Sequence, residues 1–175
     1  AKEIYPKYDA LIYEDRKYSW EEVYKRTVRF ASALKKIGIG KGDTVSFLAF
    51  NTPEIFEGHY SVPMTGAVLN TINIRLDAKT IAYILEHSEA KVLVVDRQLH
   101  VEVKKALNTL KRKIIIIDID DKFADQSKCE KIGELEYESF LNTGDENYNW
   151  EMPEDEWQAL SPVSYTHLRA HETYP

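Results

Sequence analysis

Residues 62–96 read VPMTGAVLNTINIRLDAKTIAYILEHSEAKVLVVD, and the order of residue types in this stretch decides the fold. After Gly66, the run Val68, Leu69, Thr71, Ile72 and Ile74 is rich in β-branched side chains and reads as an extended segment. Asp77 is a helix N-cap residue type, and Ile81, Ile84 and Leu85 recur behind it at helical spacing. Val92, Leu93, Val94 and Val95 then form a run that is apolar on both faces, as a strand covered by helices on both sides requires.

The same alternation extends outward in both directions. Leu11-Ile12-Tyr13 and Tyr18-Ser19-Trp20 flank the charged turn Glu14-Asp15-Arg16-Lys17 as the arms of a small hairpin. Ser19 and Glu22 have capping-box spacing, and the helix they open runs to about Ile37 with Trp20, Val23, Tyr24, Thr27, Ala31 and Leu34 along one stripe. Gly38-Ile39-Gly40-Lys41-Gly42-Asp43 ends that helix. Residues 44–50 read as a strand, and Pro53 sits where a helix begins. Downstream, the pattern predicts a helix over residues 97–110, a strand over 114–117, a polar acidic stretch over 118–138 and a short helix over 137–141. Helix and strand in strict alternation predict an α/β fold, a parallel sheet with helices on both faces.

Composition narrows the function classes. The chain has 175 residues, 43% of them hydrophobic, enough for one sizeable core. A formal charge of -6 with both signs interspersed argues against a nucleic-acid footprint, which needs clustered basic residues. No apolar run approaches the roughly 18 residues of a membrane span, and residues 1–4 do not open a signal peptide, so the expectation is a soluble cytoplasmic protein. The single cysteine, Cys129, fits a reducing compartment and excludes an internal disulfide.

Each chemically suggestive feature has a plainer structural reading. Gly38, Gly40 and Gly42 follow a helix and precede a strand, the reverse of a dinucleotide fingerprint, so Gly38 is better read as a helix C-terminal glycine. Asp118, Asp120 and Asp121 lack the remaining spacing of a calcium loop and read as a solvated loop after a strand. His59, His87 and His100 fall on separate predicted helices without zinc-ligand spacing, and His59 reads as a packing or surface residue. Lys128 and Lys131 beside Cys129 would lower its pKa, but no orienting base accompanies it, so it reads as an incidental surface thiol. Glu21 and Glu22 lie on solvent-facing helix positions. The sequence therefore assigns no catalytic, cofactor-binding or metal-binding residue.

An ordered set of short motifs carries a family resemblance. It comprises Tyr5-Pro6, Tyr18-Ser19-Trp20, Ala31-x-Ala33-Leu34, Gly42-Asp43-x-Val45, Asn51-Thr52-Pro53, Val62-Pro63-Met64, Gly66-Ala67-Val68-Leu69-Asn70, Asn73-Ile74-Arg75-Leu76-Asp77 and Glu86-His87-Ser88-Glu89-Ala90-Lys91. In this order and spacing they resemble the N-terminal lobe of the adenylate-forming acyl-CoA synthetases, the AMP-dependent synthetase and ligase family. The subgroup most resembled is the fatty-acyl and medium-chain synthetases with the plant acyl-activating enzymes. The resemblance implies a parent enzyme that uses ATP and magnesium to turn a carboxylate into an acyl-adenylate, and then coenzyme A to make a thioester. It also implies cytoplasm, peroxisome or mitochondrion as the compartment of a eukaryotic parent.

The resemblance covers residues 1–160, an incomplete N-terminal domain. The family's Ser/Thr/Gly-rich phosphate loop is expected just after Leu160, where this chain instead reads SPVSYTHLRAHETYP, with no glycine. Residues 161–175 look like translated adapter read-through and are expected to be foreign and disordered, so the His167 and His171 pair is not taken as a metal site. The fragment alone is expected to be inactive and to bind none of the parent's cofactors. The alternative from another class is a free-standing flavodoxin-like binding module, with its ligand at the loops around Asn51, Asn73, Asp96 and Asp118.

Overall fold

The computed structural model describes residues 1–150, so the expectations for residues 161–175, including His167 and His171, lie outside the described residues. The elements run in chain order as β1 (Asp9–Tyr13), β2 (Arg16–Ser19), α1 (Trp20–Lys36), β3 (Thr44–Leu48), α2 (Pro53–Ser61) and β4 (Val68–Thr71). They continue with α3 (Ala78–His87), β5 (Ala90–Asp96), α4 (His100–Leu107), β6 (Ile115–Ile119), β7 (Leu135–Glu136) and α5 (Tyr137–Leu141). β1 and β2 form an antiparallel hairpin apart from the main sheet. The main sheet has five strands in the order β4-β3-β5-β6-β7, and every pairing in it is parallel.

The capping chemistry read from the sequence is present. The Ser19 hydroxyl accepts from the Glu22 amide, and the Glu22 carboxylate accepts from the Ser19 amide at 2.7 Å, which closes the first turn of α1. At the other end Gly38 has φ 84°, the Ile39 amide donates to the Leu34 carbonyl, and the Gly38 amide donates to that of Lys35. That is a Schellman cap, in which glycine takes the left-handed position without a Cβ clash.

Two cores follow from the alternation of side chains along β3 and β5. Val45, Phe47, Val92 and Val94 point to one face with Phe30 and Leu34 of α1 and Tyr137 and Phe140 of α5. Leu48, Leu93 and Val95 point to the other, against Ile81 and Leu85 of α3 and Val103 and Ala106 of α4. The chain leaves β3 through α2 to β4 on one side, then returns through α3 to β5 on the other side of β3. Right-handed crossovers that reverse direction must place their helices on opposite faces, as these do.

Several boundaries differ from expectation. β3 stops at Leu48 because the chain turns at Phe50 to Thr52, whose amide donates to the Phe50 carbonyl. β6 begins one residue later than expected and continues through Asp118 and Ile119, because Asp118 pairs in register with Val95 and with Glu136. The predicted helix over 97–110 divides into a 3₁₀ turn at Arg97–Leu99, capped by Asp96, followed by α4. β7 was not expected at all; its two residues are too short to show a period. The short helix over 137–141 is found as α5.

Candidate functional site

In a sheet of this order, ligands sit outside the carboxyl ends of the strands where the crossover direction reverses, here between β3 and β5. The residues there are Asn51 and Thr52 after β3 and Asp96 and Arg97 after β5. The β1–β2 hairpin reaches into this region. The Tyr13 hydroxyl donates to Asp121 at 2.5 Å, and Arg16 donates to Glu54, in the first turn of α2, at 3.1 Å.

The carboxylates gathered here are engaged by the protein itself. Asp96 is fully buried and accepts from the Gln98 amide at 2.9 Å; burial raises its pKa against those bonds, and Asp121 and Glu54 raise it further. Asp118, also fully buried, accepts from the amides of Ile132 and Gly133, both at 2.9 Å, and from Arg97 Nε at 3.3 Å. Asp121 accepts from the Phe123 amide and the Tyr13 hydroxyl. Burial, followed by the bond to Asp121, pushes the Tyr13 hydroxyl well above its ordinary range. Burial opposes the charge of Arg16, yet Glu54 and its hydrogen bond outweigh it and raise the pKa.

This corrects the reading of the acidic loop. Asp118 and Asp121 are buried structural acceptors rather than solvated side chains, and only Asp120 is exposed, paired with Arg97 at 2.5 Å. The spacing of the three aspartates carried no sign of this, because the donors come from residues far away in sequence. Among the described residues no group of His, Cys, Asp and Glu is arranged to hold a metal ion. These carboxylates are already spent on guanidinium, phenol and amide donors, so they do not fit a magnesium–nucleotide site.

The remaining sequence candidates stay apart. His59 is exposed on α2 with Nδ1 2.8 Å from the Ile55 carbonyl, His87 stacks on Tyr83, and His100 faces the Arg97 carbonyl. Cys129 is not activated by its lysines: burial, then Asp96 and Asp120, raise its thiol pKa, while Lys128 is paired with Asp125. Glu21 pairs with Lys25 at 2.9 Å on the surface, and Glu22 serves the cap.

The sequence reading missed a second polar cluster, on the helical face. Arg26 on α1 bonds Glu57 on α2 and Glu138 on α5, and the Tyr137 hydroxyl donates to Glu57 at 2.9 Å. Glu57 is 1% exposed, and burial pushes its carboxyl up to about 7 against the pull of Arg26 and Tyr137. The sequence offers no local sign of it, because the partners of Glu57 come from α1 and α5. The cluster joins three helices, so its role is to hold the helical layer together.

A model of the family described as AMP-binding enzyme matches residues 1–165. The chain is 41% identical to a peroxisomal acetate/butyrate–CoA ligase of Arabidopsis thaliana over an alignment of 176 positions, covering 95% of this chain and 31% of the relative. It is 41% identical to a peroxisomal trans-cinnamate:CoA ligase of Petunia hybrida over 180 positions, with the same coverage of 95% and 31%. Among solved structures, the anthranilate CoA ligase AuaEII in complex with anthranoyl-AMP superposes with a TM-score of 0.77 at 20% identity, over 87% of this chain and 28% of that one. A benzoate CoA ligase from Burkholderia xenovorans LB400 gives 0.70 at 20% identity, over 82% and 27%. The chain thus spans about a third of the length of the relatives it matches.

Proposed function

This chain belongs to the AMP-binding enzyme family, and from that premise we propose that it is an N-terminal part of an acid–thiol ligase, an acyl-CoA synthetase. The observation that carries the reading is the match at 41% identity along 95% of this chain to a CoA ligase of which it spans only 31%. The parent would join a carboxylic acid to ATP, releasing pyrophosphate, and exchange the AMP of the acyl-adenylate for coenzyme A. Magnesium would accompany the nucleotide. The relatives are named for acetate, butyrate and cinnamate, so short aliphatic and arylalkenoic acids are the substrates to try first, ahead of long-chain fatty acids. Peroxisomal relatives favour the peroxisome over the cytoplasm for a plant-like parent.

The chain in hand supplies a scaffold for that chemistry. Its strand-end carboxylates are consumed by internal donors, and residues 161–175 contain no glycine with which to cradle a phosphate. We therefore expect no ATP–pyrophosphate exchange from the 175-residue protein with acetate, butyrate or cinnamate. Turnover above background would refute the inactivity of the fragment. Extending the reading frame beyond Leu160 tests the parent's activity: restored thioester formation is expected, and a frame that ends unchanged at Pro175 would overturn the proposal that residues 161–175 are foreign. The alternative of a free-standing flavodoxin-like module draws on the strand order alone.

A further inference from the structure

All strands of the main sheet run the same way, so their starting ends define one edge. Thr44 pairs with Val68 and Ala90, and Val92 with Ile115, which brings the connections before β3, β5 and β6 together there. The cations on this edge include Lys35 and Lys36 at the end of α1, Lys91 in β5, and the run Lys111-Arg112-Lys113 before β6. Two of them are offset: Lys91 pairs with Asp43 at 2.5 Å, and Arg112 with Glu86 at 3.2 Å. Lys36 donates to the Thr143 carbonyl at 2.5 Å, a neutral acceptor that leaves its charge in place. Lys35, Lys36, Lys111 and Lys113 are exposed, and the further carboxylate of these connections is Glu89. Ile37 and Ile115 stand exposed among the lysines.

The opposite edge, where β5 and β6 end, carries Asp96, Asp118, Asp120 and Asp121. A chain of net charge -6 that keeps its excess cations at one edge is electrically polarised, and it meets a negative surface with that edge first. A single-stranded polynucleotide is held by bases stacked on aromatic rings, and the connections before β3, β5 and β6 contain no aromatic residue. A bilayer surface calls instead for cations around a few aliphatic side chains. We propose that this edge docks the protein on an anionic phospholipid bilayer, with the lysines among the headgroups and Ile37 and Ile115 against the interface. The docking goes beyond the ligase reading and rests only on residues within this chain.

Cosedimentation of the 175-residue chain with vesicles tests it, comparing pure phosphatidylcholine with an equal mixture of phosphatidylcholine and phosphatidylserine. The chain should sediment with the mixed vesicles alone, and about 0.5 M sodium chloride should release it by screening the lysines. Lys111→Gln with Lys113→Gln, both at exposed positions, should weaken the binding about fivefold per cation, about 25-fold together. Lys122→Gln with Lys128→Gln removes the same charge from exposed positions beyond the acidic edge and should leave binding unchanged. Equal loss in the two double variants would reduce the effect to net charge, and equal binding to pure phosphatidylcholine would remove the role of the lysines; either overturns the proposal. So would a failure to sediment with the mixed vesicles, or a polyuridine oligonucleotide that binds as tightly and displaces the protein from them.

Discussion

Arg26 grips Glu57 from two directions of one guanidinium plane, with Nε 2.5 Å from one carboxylate oxygen and Nη2 3.3 Å from the other, across the seam between α1 and α2. The same guanidinium reaches Glu138, and the Tyr137 hydroxyl completes the shell of Glu57. One arginine therefore ties together three helices that lie on one face of the sheet.

Removing that arginine strands a buried carboxylate. Arg26→Met should lower stability by about 3–5 kcal/mol, the cost of breaking a buried pair on one side only. Arg26→Met combined with Glu57→Leu should recover most of the loss, because neither charge is then left unpaired. Urea unfolding midpoints of the single and double variants check this; a single variant as stable as the parent would mean that water reaches the seam.

The pH dependence of Glu57 has a definite sign. Its folded pKa, about 7, lies above its ordinary value of 4.5, so the folded state holds the proton more tightly. Its contribution to stability is complete below about 4.5 and is lost as pH rises to about 7, a change of about 3 kcal/mol. Glu57→Gln stays neutral throughout, so the parent should lose about that much relative to the variant across this window. Unfolding free energies of both proteins at pH 4.5, 6 and 7.5 provide the measurement, and a constant difference would contradict the shift.

Gly58 of α2 lies directly against the ring of Phe47 on β3. A Cβ there would meet ring atoms of Phe47 at 2.5, 2.8 and 2.9 Å, and Phe47 is fully buried in the core. Gly58→Ala should destabilise by about 1–3 kcal/mol despite the better helix propensity of alanine. Combining it with Phe47→Leu should make the second change cost less than it does alone, which a double-mutant cycle in urea reads directly.

The parallel sheet, the Ser19 capping box and the Gly38 terminus were legible because each is written in local sequence: period, cap residue, glycine. Val92 to Val95 announced a strand buried on both faces by being apolar at every position, and both cores confirm it. What stayed hidden depends on partners distant in the chain. Phe30, fully buried among Phe47, Tyr137 and Phe140, fell outside the stripe read for α1, because α5, folding back onto α1 more than a hundred residues later, widens the buried face. Asp118 looked solvated because its donors, Arg97, Ile132 and Gly133, lie 21, 14 and 15 residues away.

The order of the sheet also sets a schedule for the chain as it is made. β3 lies between β4 and β5, so its second flank stays open until Ala90 has been synthesised, 46 residues after Thr44. At about 5–20 residues per second that interval is roughly 2–9 s. Until Val68 is made both edges of β3 lack their strands, and from then to Ala90 one still does, so a nascent chain stalled between residues 50 and 90 is the species most exposed to unwanted pairing.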